Sequence, residues 1–420
     1  PQTSSVVNVV DKSIVGGTWN AHTPSVDHPS AWTVFSIASS PSTMVAVGVV
    51  NHGSWTSGTG DSVNSSRKII YSNDGVTWNW ASTSITGIHA GTTPGYPDWA
   101  APEHVVYSSN HNRFVTICRG DIGHVISHRT ADLIHYSSNG SSWSQASAPG
   151  GFQLFALAVS SGGQFVATGR GDGDCLISSN GTSWSQGGSM GGQWGSDVEA
   201  GNGVFIAVGG IDAPGGTTQK NRAARSTNGG SSWSTVTLPY GPHYVDLASD
   251  DAGNWVVGGT NKWGAPSTSS GNFCAYSTDN GQTWSEIASS TSPIWKIAYG
   301  GGKFVFVTHS SYQTPTYKVC DTLNGGDISD ASTWVDGLAA NFSPISQHDF
   351  EYGTFNNSPT GEVWMSGNWR DHHWTYDIQE GITSYELELS DNSIDGVPTQ
   401  TIGDLFTANS NVTGTSGGYG

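Results

Sequence analysis

The sequence predicts an all-β fold made of repeated four-stranded units. Three observations lead to this prediction: a short apolar strand that recurs along the chain, a polar turn ending in tryptophan that recurs with it, and the composition. Gly, Ser and Thr are abundant, there are 18 Trp, and only 11% of the 420 residues are charged. A disordered chain would lack aromatic residues, and a helical one would be rich in Ala, Glu, Lys and Leu.

The recurring apolar strand, which we call the core strand, is five residues long and rich in β-branched and aromatic residues, as buried strands are. It occurs as MVAVG (44–48), FVTIC (114–118), FVATG (165–169), FIAVG (205–209), WVVGG (255–259), FVFVT (304–308) and VWMSG (363–367).

The recurring polar turn, which we call the box turn, reads YSNDGVTW at 71–78 and STDNGQTW at 277–284. An Asp or Asn in it accepts hydrogen bonds from N–H groups of its own turn, Gly takes the position with positive φ, and Trp docks the turn against a neighbouring sheet. The residues that we assign to these structural roles are Asp74, Trp78, Asn139, Trp143, Asn180, Trp184, Asn228, Trp233, Asp279 and Trp284. Trp334 ends a stretched version, and Trp19 in VGGTWNAH makes a seventh.

Core strand and box turn together define a unit of four short strands, which is typical of a β-propeller blade. Seven core strands and seven box tryptophans predict seven antiparallel blades. Because Trp19 has no core strand before it, the strand around 14–22 is expected to complete the last blade, so that the N-terminal segment closes the ring and removes exposed sheet edges. We expect the propeller to span 1–378, and 379–420 to form a C-terminal strand and a flexible tail rich in Gly, Ser and Thr.

The box turn resembles the Asp-box (S-x-D-x-G-x-x-W type, also called the BNR repeat) of sialidase-like propellers. Photosystem assembly factors, sortilin-like receptors and many bacteriophage tail proteins share this motif. The resemblance extends over about 19–378 and implies the propeller fold, but it does not by itself imply a function. Calcium or ligand binding by the turn is the alternative to a structural role. A turn repeated in every blade favours the structural role, because a catalytic group is needed only once.

The charge and the cysteines exclude several classes of protein. A net charge of −18 argues against nucleic acid or an anionic membrane as the main partner, and no apolar run is long enough to span a bilayer. Cys118, Cys175, Cys274 and Cys320 lie far apart without a C-x-x-C pair, which predicts buried free thiols.

The loops that follow the core strands differ from one another in length and sequence, and we expect function there, on the face opposite the box turns. Arg and aromatic side chains collect in these loops, and such groups bind carboxylates and sugar faces. The candidate ligand-binding residues are Trp55, Arg119, Arg129, Arg170, Trp263, Trp369, Arg370 and His372. A second expected ring, near the central channel, consists of Trp32, His104, Phe152, Trp194, His243, Trp295 and His348.

An enzyme is the less favoured interpretation. A sialidase needs an arginine triad and an early F/Y-R-I-P motif; no R-I-P occurs, and no Arg precedes Arg67. If the protein is a glycoside hydrolase, Asp349 and Glu351 in HDFEYG are the candidate catalytic pair, because they alternate onto one face of an inner strand. We expect no cofactor and no metal. The alternative, Ca²⁺ at Asp172 and Asp174, offers fewer oxygens than the 6–8 that Ca²⁺ takes.

The sequence therefore favours a non-catalytic recognition or structural module. It is most similar to a phage tail or other virion surface protein, extracellular, that binds a glycan or a protein on a cell or particle surface through the loop face. The termini (VVNVV at 6–10 and ITSYELELSD at 382–391) could add strands to neighbouring virion subunits. The alternatives are a secreted sialidase-like glycoside hydrolase or lyase, and a propeller scaffold or assembly factor.

Overall fold

The computed structural model describes residues 8–11, 20–22, 32–50, 67–75, 77–82, 101–119, 134–150, 152–170, 174–191, 195, 197–209, 222–239, 243–260, 274–287, 294–308, 316–337, 347–356, 362–368, 376–380 and 385–388. At some of these positions only the backbone is described. In this part of the chain the regular structure is β-strand, apart from two short 3₁₀ helices at Thr322–Asn324 and Ala331–Thr333. The expectation of an all-β fold is confirmed.

The described strands form seven four-stranded antiparallel sheets, which we number I to VII, and one two-stranded sheet. The innermost strands of sheets I to VII are β3 (Trp32–Ser40), β7 (Ala101–Ser108), β11 (Gln153–Val159), β15 (Asp197–Gly201), β19 (His243–Ser249), β23 (Ile294–Gly300) and β27 (Gln347–Thr354). The second strands are β4 (Thr43–Val50), β8 (Arg113–Arg119), β12 (Phe165–Arg170), β16 (Val204–Val208), β20 (Trp255–Thr260), β24 (Lys303–Thr308) and β28 (Glu362–Asn368).

The third strands of sheets I to VII are β5 (Arg67–Ser72), β9 (Ile134–Ser137), β13 (Asp174–Ser178), β17 (Arg222–Ser226), β21 (Cys274–Ser277), β25 (Thr316–Asp321) and β29 (Tyr376–Glu380). The outer strands are β6 (Asn79–Trp80), β10 (Ser144–Gln145), β14 (Ser185–Ser189), β18 (Ser234–Thr237), β22 (Ser285–Glu286), β26 (Trp334–Gly337) and β2 (Asn20–His22).

The seven inner strands follow one another around a closed ring. Each contacts the inner strand of the next sheet, and β27 of sheet VII contacts β3 of sheet I. The outer strand of sheet VII comes from the N-terminal segment, because β2 pairs with β29. Trp19, which precedes β2, lies outside the described residues, and the expected boundary at 378/379 falls within β29.

The termini also meet in the two-stranded sheet. Strand β1 (Asn8–Asp11) pairs antiparallel with β30 (Tyr385–Glu388), with Val9 opposite Leu387. The segments that the sequence suggests as docking strands for other subunits are therefore paired with each other here. Docking to a neighbouring subunit stays a prediction.

The hydrophobic core lies between consecutive sheets, and a box tryptophan is part of each of its five described clusters. Trp143 of sheet II packs with Val45 and Ile69 of sheet I and with Phe114 of its own sheet. Equivalent clusters contain Trp184, Trp233, Trp284 and Trp334. A box tryptophan thus joins its own sheet to the sheet before it.

All four cysteines are buried free thiols, as the sequence predicts.

The glycine of the box turn is required by this packing. Gly140 has a φ of +70°, and a Cβ at this position would lie 2.8 Å from Cγ2 of Val45 in the preceding sheet. Gly181, Gly230 and Gly281 also have positive φ and meet the equivalent core-strand residues Val115, Val166 and Ile206 of the sheets before them. Glycine is therefore needed both for the left-handed backbone and for the close approach of two sheets.

Replacing Gly140 by Ala is expected to lower the free energy of unfolding by about 2–4 kcal/mol, the sum of left-handed strain and overpacking. Two matched variants separate these causes. Gly203→Ala introduces left-handed strain (φ +77°) without a close neighbour, and it should lower the free energy of unfolding by about 1 kcal/mol. Gly150→Ala introduces neither strain nor a close contact, and it should change the free energy of unfolding little. Denaturant unfolding measures all three, and equal values for Gly140→Ala and Gly203→Ala would contradict the packing role.

Candidate functional site

The antiparallel order of the strands gives the ring two faces. The box turns connect third to outer strands, and they share one face with the turns that connect inner to second strands. The connections from second to third strands, and those that lead to the next sheet, lie on the other face, which we call the loop face. The box turns, the channel wall and the loop face are the three places where polar side chains could act.

In the box turn of sheet V the carboxylate of Asp279 organises its own backbone. Its Oδ1 accepts hydrogen bonds from the N–H groups of Gln282 and Thr283, both at 2.9 Å, and from the hydroxyl of Ser277 at 2.8 Å. The indole Nε1 of Trp284 donates to the carbonyl of Gly281 at 3.1 Å. Burial by itself would raise the pKa of Asp279, but these bonds and that from the Thr283 hydroxyl outweigh it and lower the pKa to about 2.

An asparagine performs the same task in other box turns. Oδ1 of Asn139 accepts from the N–H groups of Ser141 and Ser142, each at 3.0 Å, and Asn180 and Asn228 accept in the same way from their own turns. An amide oxygen and a carboxylate oxygen are both acceptors. The turn thus needs an acceptor and not a negative charge.

The box turns are also bonded to the preceding sheet. The N–H groups of Ser82, Ser147 and Gly188, each at the end of an outer strand, donate to the carbonyls of Ser141, Thr182 and Gly230 in the next box turn, at 2.7–2.8 Å. Side chains add further bonds across the same boundary: Arg113 to the carbonyl of Asn180, and Arg225 to that of Asn280 at 2.8 Å. The polar groups of these turns are thus engaged in holding sheets together.

The channel contains a cavity of about 310 Å³ that is lined by the inner strands of all seven sheets. In six inner strands the pairing with the second strand shifts by one residue just before an equivalent residue, and we call the place of that residue the first channel position. The inner strand of sheet IV has no such shift, and its pairing with β16 locates the first channel position at Asp197. In sheets I to VII it is occupied by Ser36, His104, Ala156, Asp197, Asp246, Lys296 and Asp349. Of the seven residues that the sequence predicts to form a second ring near the channel, only His104 stands at the first channel position. The residues of that predicted ring are therefore not equivalent to one another.

Side chains at the first channel position link one inner strand to the next. Oγ of Ser36 accepts the N–H of Val105 at 3.2 Å, and Oδ2 of Asp197 accepts the N–H of Leu247 at 3.1 Å. Asp246 accepts the N–H of Ile297 in the same way. An inner strand is an edge strand, and its channel-side N–H groups have no partner in their own sheet. The preceding sheet satisfies those of Val105, Leu247 and Ile297.

Sheets IV, V and VI extend this pattern into a connected set of charged groups. Nζ of Lys296 donates to Oδ1 of Asp246 at 3.0 Å, and Asp197 and Asp246 lie close enough for each to affect the pKa of the other. Burial, followed by the charge of Asp246, raises the pKa of Asp197 well above its usual range. Burial also raises the pKa of Asp246, although Lys296 and the N–H of Ile297 oppose this.

Glu199 stands two residues after Asp197 in the same channel wall. Burial raises its pKa to about 7, although a hydrogen bond from the N–H of Ala200 opposes the shift. The charges of Asp246 and Asp251 add to the increase.

The residues that the sequence proposes for ligand binding are not described. Trp55, Arg129, Trp263, Trp369, Arg370 and His372 lie outside the described residues, and only the backbone is described for Arg119 and Arg170, at the ends of β8 and β12. Asp349 and Glu351 lie on β27, opposite Gly367 and Met365 of β28. Their side chains are not described.

The sequence analysis missed Asp197, Glu199 and Lys296. A signal was present, since each first channel position precedes a large apolar residue, as in Asp197-Val198 and Lys296-Ile297.

In the described residues no cluster of three or more His, Cys, Asp or Glu could hold a metal ion. That same part of the chain contains no helix long and apolar enough to cross a membrane.

No family model and no curated protein matches the sequence. Solved structures do match. YCF48 bound to D1 peptide has a TM-score of 0.54 at 11% identity, covering 86% of this chain and 94% of that one. Virginiamycin B lyase from Staphylococcus aureus, a catalytically inactive variant solved with quinupristin, reaches 0.56 at 9% identity, with 86% and 99% covered. The RRP9 WD40 repeats reach 0.54 at 11% identity, with 89% and 99% covered.

The fold is a β-propeller. At these identities the similarity extends to the fold alone. The three matched structures differ in what they are solved with, a D1 peptide in one case and quinupristin in another.

The lowered pKa of Asp279 predicts an acid-dependent contribution to stability. Since the folded pKa of about 2 lies below the unfolded value of about 3.9, the contribution is complete above pH 4 and is lost as pH falls towards 2. Asp279→Asn keeps the acceptor and has no such pH dependence. The thermal midpoint of the wild type minus that of Asp279→Asn should therefore decrease as pH is lowered from 4 to 2. A difference that stays constant over this range would contradict the role of Asp279.

Proposed function

We propose that the protein is a non-catalytic, seven-bladed propeller that binds a protein partner, as an extended peptide segment, through its loop face. The observation that carries the proposal is the engagement of the repeated polar groups. The box turns hold sheets together, and the channel carboxylates Asp197 and Asp246 bind N–H groups of the next inner strand. The loop face is where the sequence varies from blade to blade.

The fold supports this proposal in two ways. A ring of sheets presents many loops of unequal length on one rigid surface, which suits recognition of a partner. YCF48, whose fold is similar, is solved with a D1 peptide. We propose further that the box turns are Asp-boxes and that the partner belongs to a cell or particle surface, as for a virion or phage tail protein. A glycan is the alternative ligand, for which the Arg and Trp residues of the loops are suited.

The test exposes the folded protein to a random peptide library displayed on beads and, in parallel, to a glycan array. Peptides that share a motif are the expected outcome. Replacing Trp263, Trp369 and Arg370 together by Ser should weaken binding of the enriched peptides by about 30-fold or more, as the loss of a hot spot of about 2 kcal/mol would.

The matched control is Leu323→Ser on the box face, where the side chain is 70% exposed, and it should leave peptide binding unchanged. Equal loss in the control and the triple variant would contradict recognition by the loop face. Enrichment of glycans without peptides would replace the protein partner by a carbohydrate.

One observation favours an enzyme instead: a pair of carboxyl groups with raised pKa values lines the channel cavity. A glycoside hydrolase needs its two carboxyls roughly 5–10 Å apart and available to the substrate, whereas Asp197 and Asp246 each bind an N–H group of the next inner strand. Asp349 and Glu351 remain the candidates for this function. We expect no reducing sugar to be released from array glycans by the wild type, Asp349→Asn or Glu351→Gln; release by the wild type alone would establish the enzyme.

A further inference from the structure

We propose that Asn228, in the box turn of sheet IV, is a site of spontaneous conversion to aspartate and isoaspartate, and that Asn139 and Asn180 are protected from this reaction. The three asparagines stand in the same local sequence, Ser-x-Asn-Gly. Asparagine reacts most readily before glycine, because glycine places no side chain in the way of the ring that must form. The sequence alone would therefore make the three box turns equally reactive.

The reaction depends on the backbone nitrogen that follows the asparagine. After hydroxide removes its proton, this nitrogen attacks Cγ of the asparagine, a new N–C bond forms, and the side-chain amide leaves as ammonia. Water then opens the resulting succinimide ring. Attack of water at the side-chain carbonyl gives aspartate, and attack at the main-chain carbonyl gives isoaspartate. The net reaction consumes water and releases ammonia, and no other reagent is needed.

Serine hydroxyls hold that nitrogen in sheets II and III. Oγ of Ser137 accepts the N–H of Gly140 at 2.9 Å, and Oγ of Ser178 accepts the N–H of Gly181 at 2.8 Å. Both glycines are buried. An amide that is buried and hydrogen-bonded loses its proton to the solvent only when the structure opens locally. The asparagine before each of these glycines is therefore protected.

The box turn of sheet IV is one residue longer, and the extra residue changes which amide the serine holds. Oγ of Ser226 accepts the N–H of Gly230 at 2.9 Å and not that of Gly229. Asn228 is exposed and Gly229 is half-buried. Within the described part of the chain, no acceptor binds the N–H of Gly229. The nitrogen that the reaction needs is thus available in this turn.

The side-chain amides do not account for a difference between these turns. Nδ2 of Asn139 donates to the hydroxyl of Ser142 at 3.2 Å, and Nδ2 of Asn228 donates to the hydroxyl of Ser232 at 2.8 Å. Oδ1 of each asparagine accepts an N–H group of its own turn. The leaving group therefore has equivalent surroundings in both turns, and the backbone nitrogen is what distinguishes them.

The two products differ in their effect on the ring. Aspartate at position 228 would match Asp279, whose turn in sheet V has the same length, and Ser232 stands where Thr283 donates its hydroxyl to Asp279 at 2.6 Å. Isoaspartate instead adds a methylene to the main chain just before the two glycines. A Cβ on Gly230 would already lie 2.7 Å from Cγ2 of Ile177 in sheet III. Isoaspartate therefore disturbs the contact between sheets III and IV.

Peptide mapping by mass spectrometry tests the proposal. The folded protein is kept at pH 8, and the mass increase of the amide-to-acid conversion is followed at each asparagine, with an isoaspartate methyltransferase to detect isoaspartate. Asn228 should react at least about ten-fold faster than Asn139 and Asn180, the factor that a local opening free energy of about 1.4 kcal/mol gives. In denaturant the three rates should be alike. Equal rates in the folded protein, or the same difference in the unfolded chain, would overturn the proposal.

Two matched variants test the role of the serine hydroxyl. Ser137→Ala removes the acceptor of the Gly140 N–H, so the rate at Asn139 should rise towards that at Asn228. Ser226→Ala removes the equivalent hydroxyl from sheet IV, where it does not hold the reacting nitrogen, and should change the rate at Asn228 little. An equal increase in both variants, or no increase in Ser137→Ala, would contradict protection by the serine.

Discussion

The ring depends on the hydrogen bonds by which one sheet satisfies the edge of the next. Every sheet has an inner edge strand whose channel-side N–H groups lack partners within the sheet. Leaving such groups buried and unbonded costs about 1–3 kcal/mol each, and the cost recurs around the ring. Ser36, Asp197 and Asp246 remove it at three boundaries by accepting the N–H of the next inner strand. The box turns solve the same problem at the outer edge, where turn carbonyls accept N–H groups from the preceding outer strand.

These bonds limit where function can be placed. A polar side chain that holds two sheets together cannot turn towards a ligand without loss of that bond, and this holds for the box turns and for the channel carboxyls. The hydrophobic clusters between sheets, each with its tryptophan, add rigidity on the same boundaries. The repeated polar groups are thus occupied in holding the sheets together, and for this reason we propose recognition through the loops that do not repeat.

Much of the fold follows from short-range pattern. The box turn could be predicted from Ser, Asp or Asn, Gly and Trp because all its bonds but those to the preceding sheet are local, as Asp279 and Trp284 show. The core strands could be predicted because they are buried on both faces. The last one is displaced by one residue. Trp364 opposite Tyr352 corresponds to Trp255 opposite Ser249, so the stretch of β28 that is equivalent to the other core strands is 364–368 and not 363–367.

The channel residues could not be found in the same way. The turn between inner and second strands varies in length, so an alignment on the core strands does not bring Asp197, Asp246 and Lys296 into one column. Their equivalence depends on strand register, and their hydrogen bonds cross from one sheet to the next. The loop residues pose a different problem, because a variable loop has no repeat from which its position can be inferred.

Amide hydrogen exchange at Leu247 tests most directly whether one sheet satisfies the inner edge of the next. The N–H of Leu247 should exchange as slowly as the paired amides of Val256 and Val257 in β20. In Asp197→Ala it should exchange much faster, while the amide of Ile297, which Asp246 holds, changes less. Fast exchange of Leu247 in the wild type, or an unchanged rate in the variant, would contradict the account.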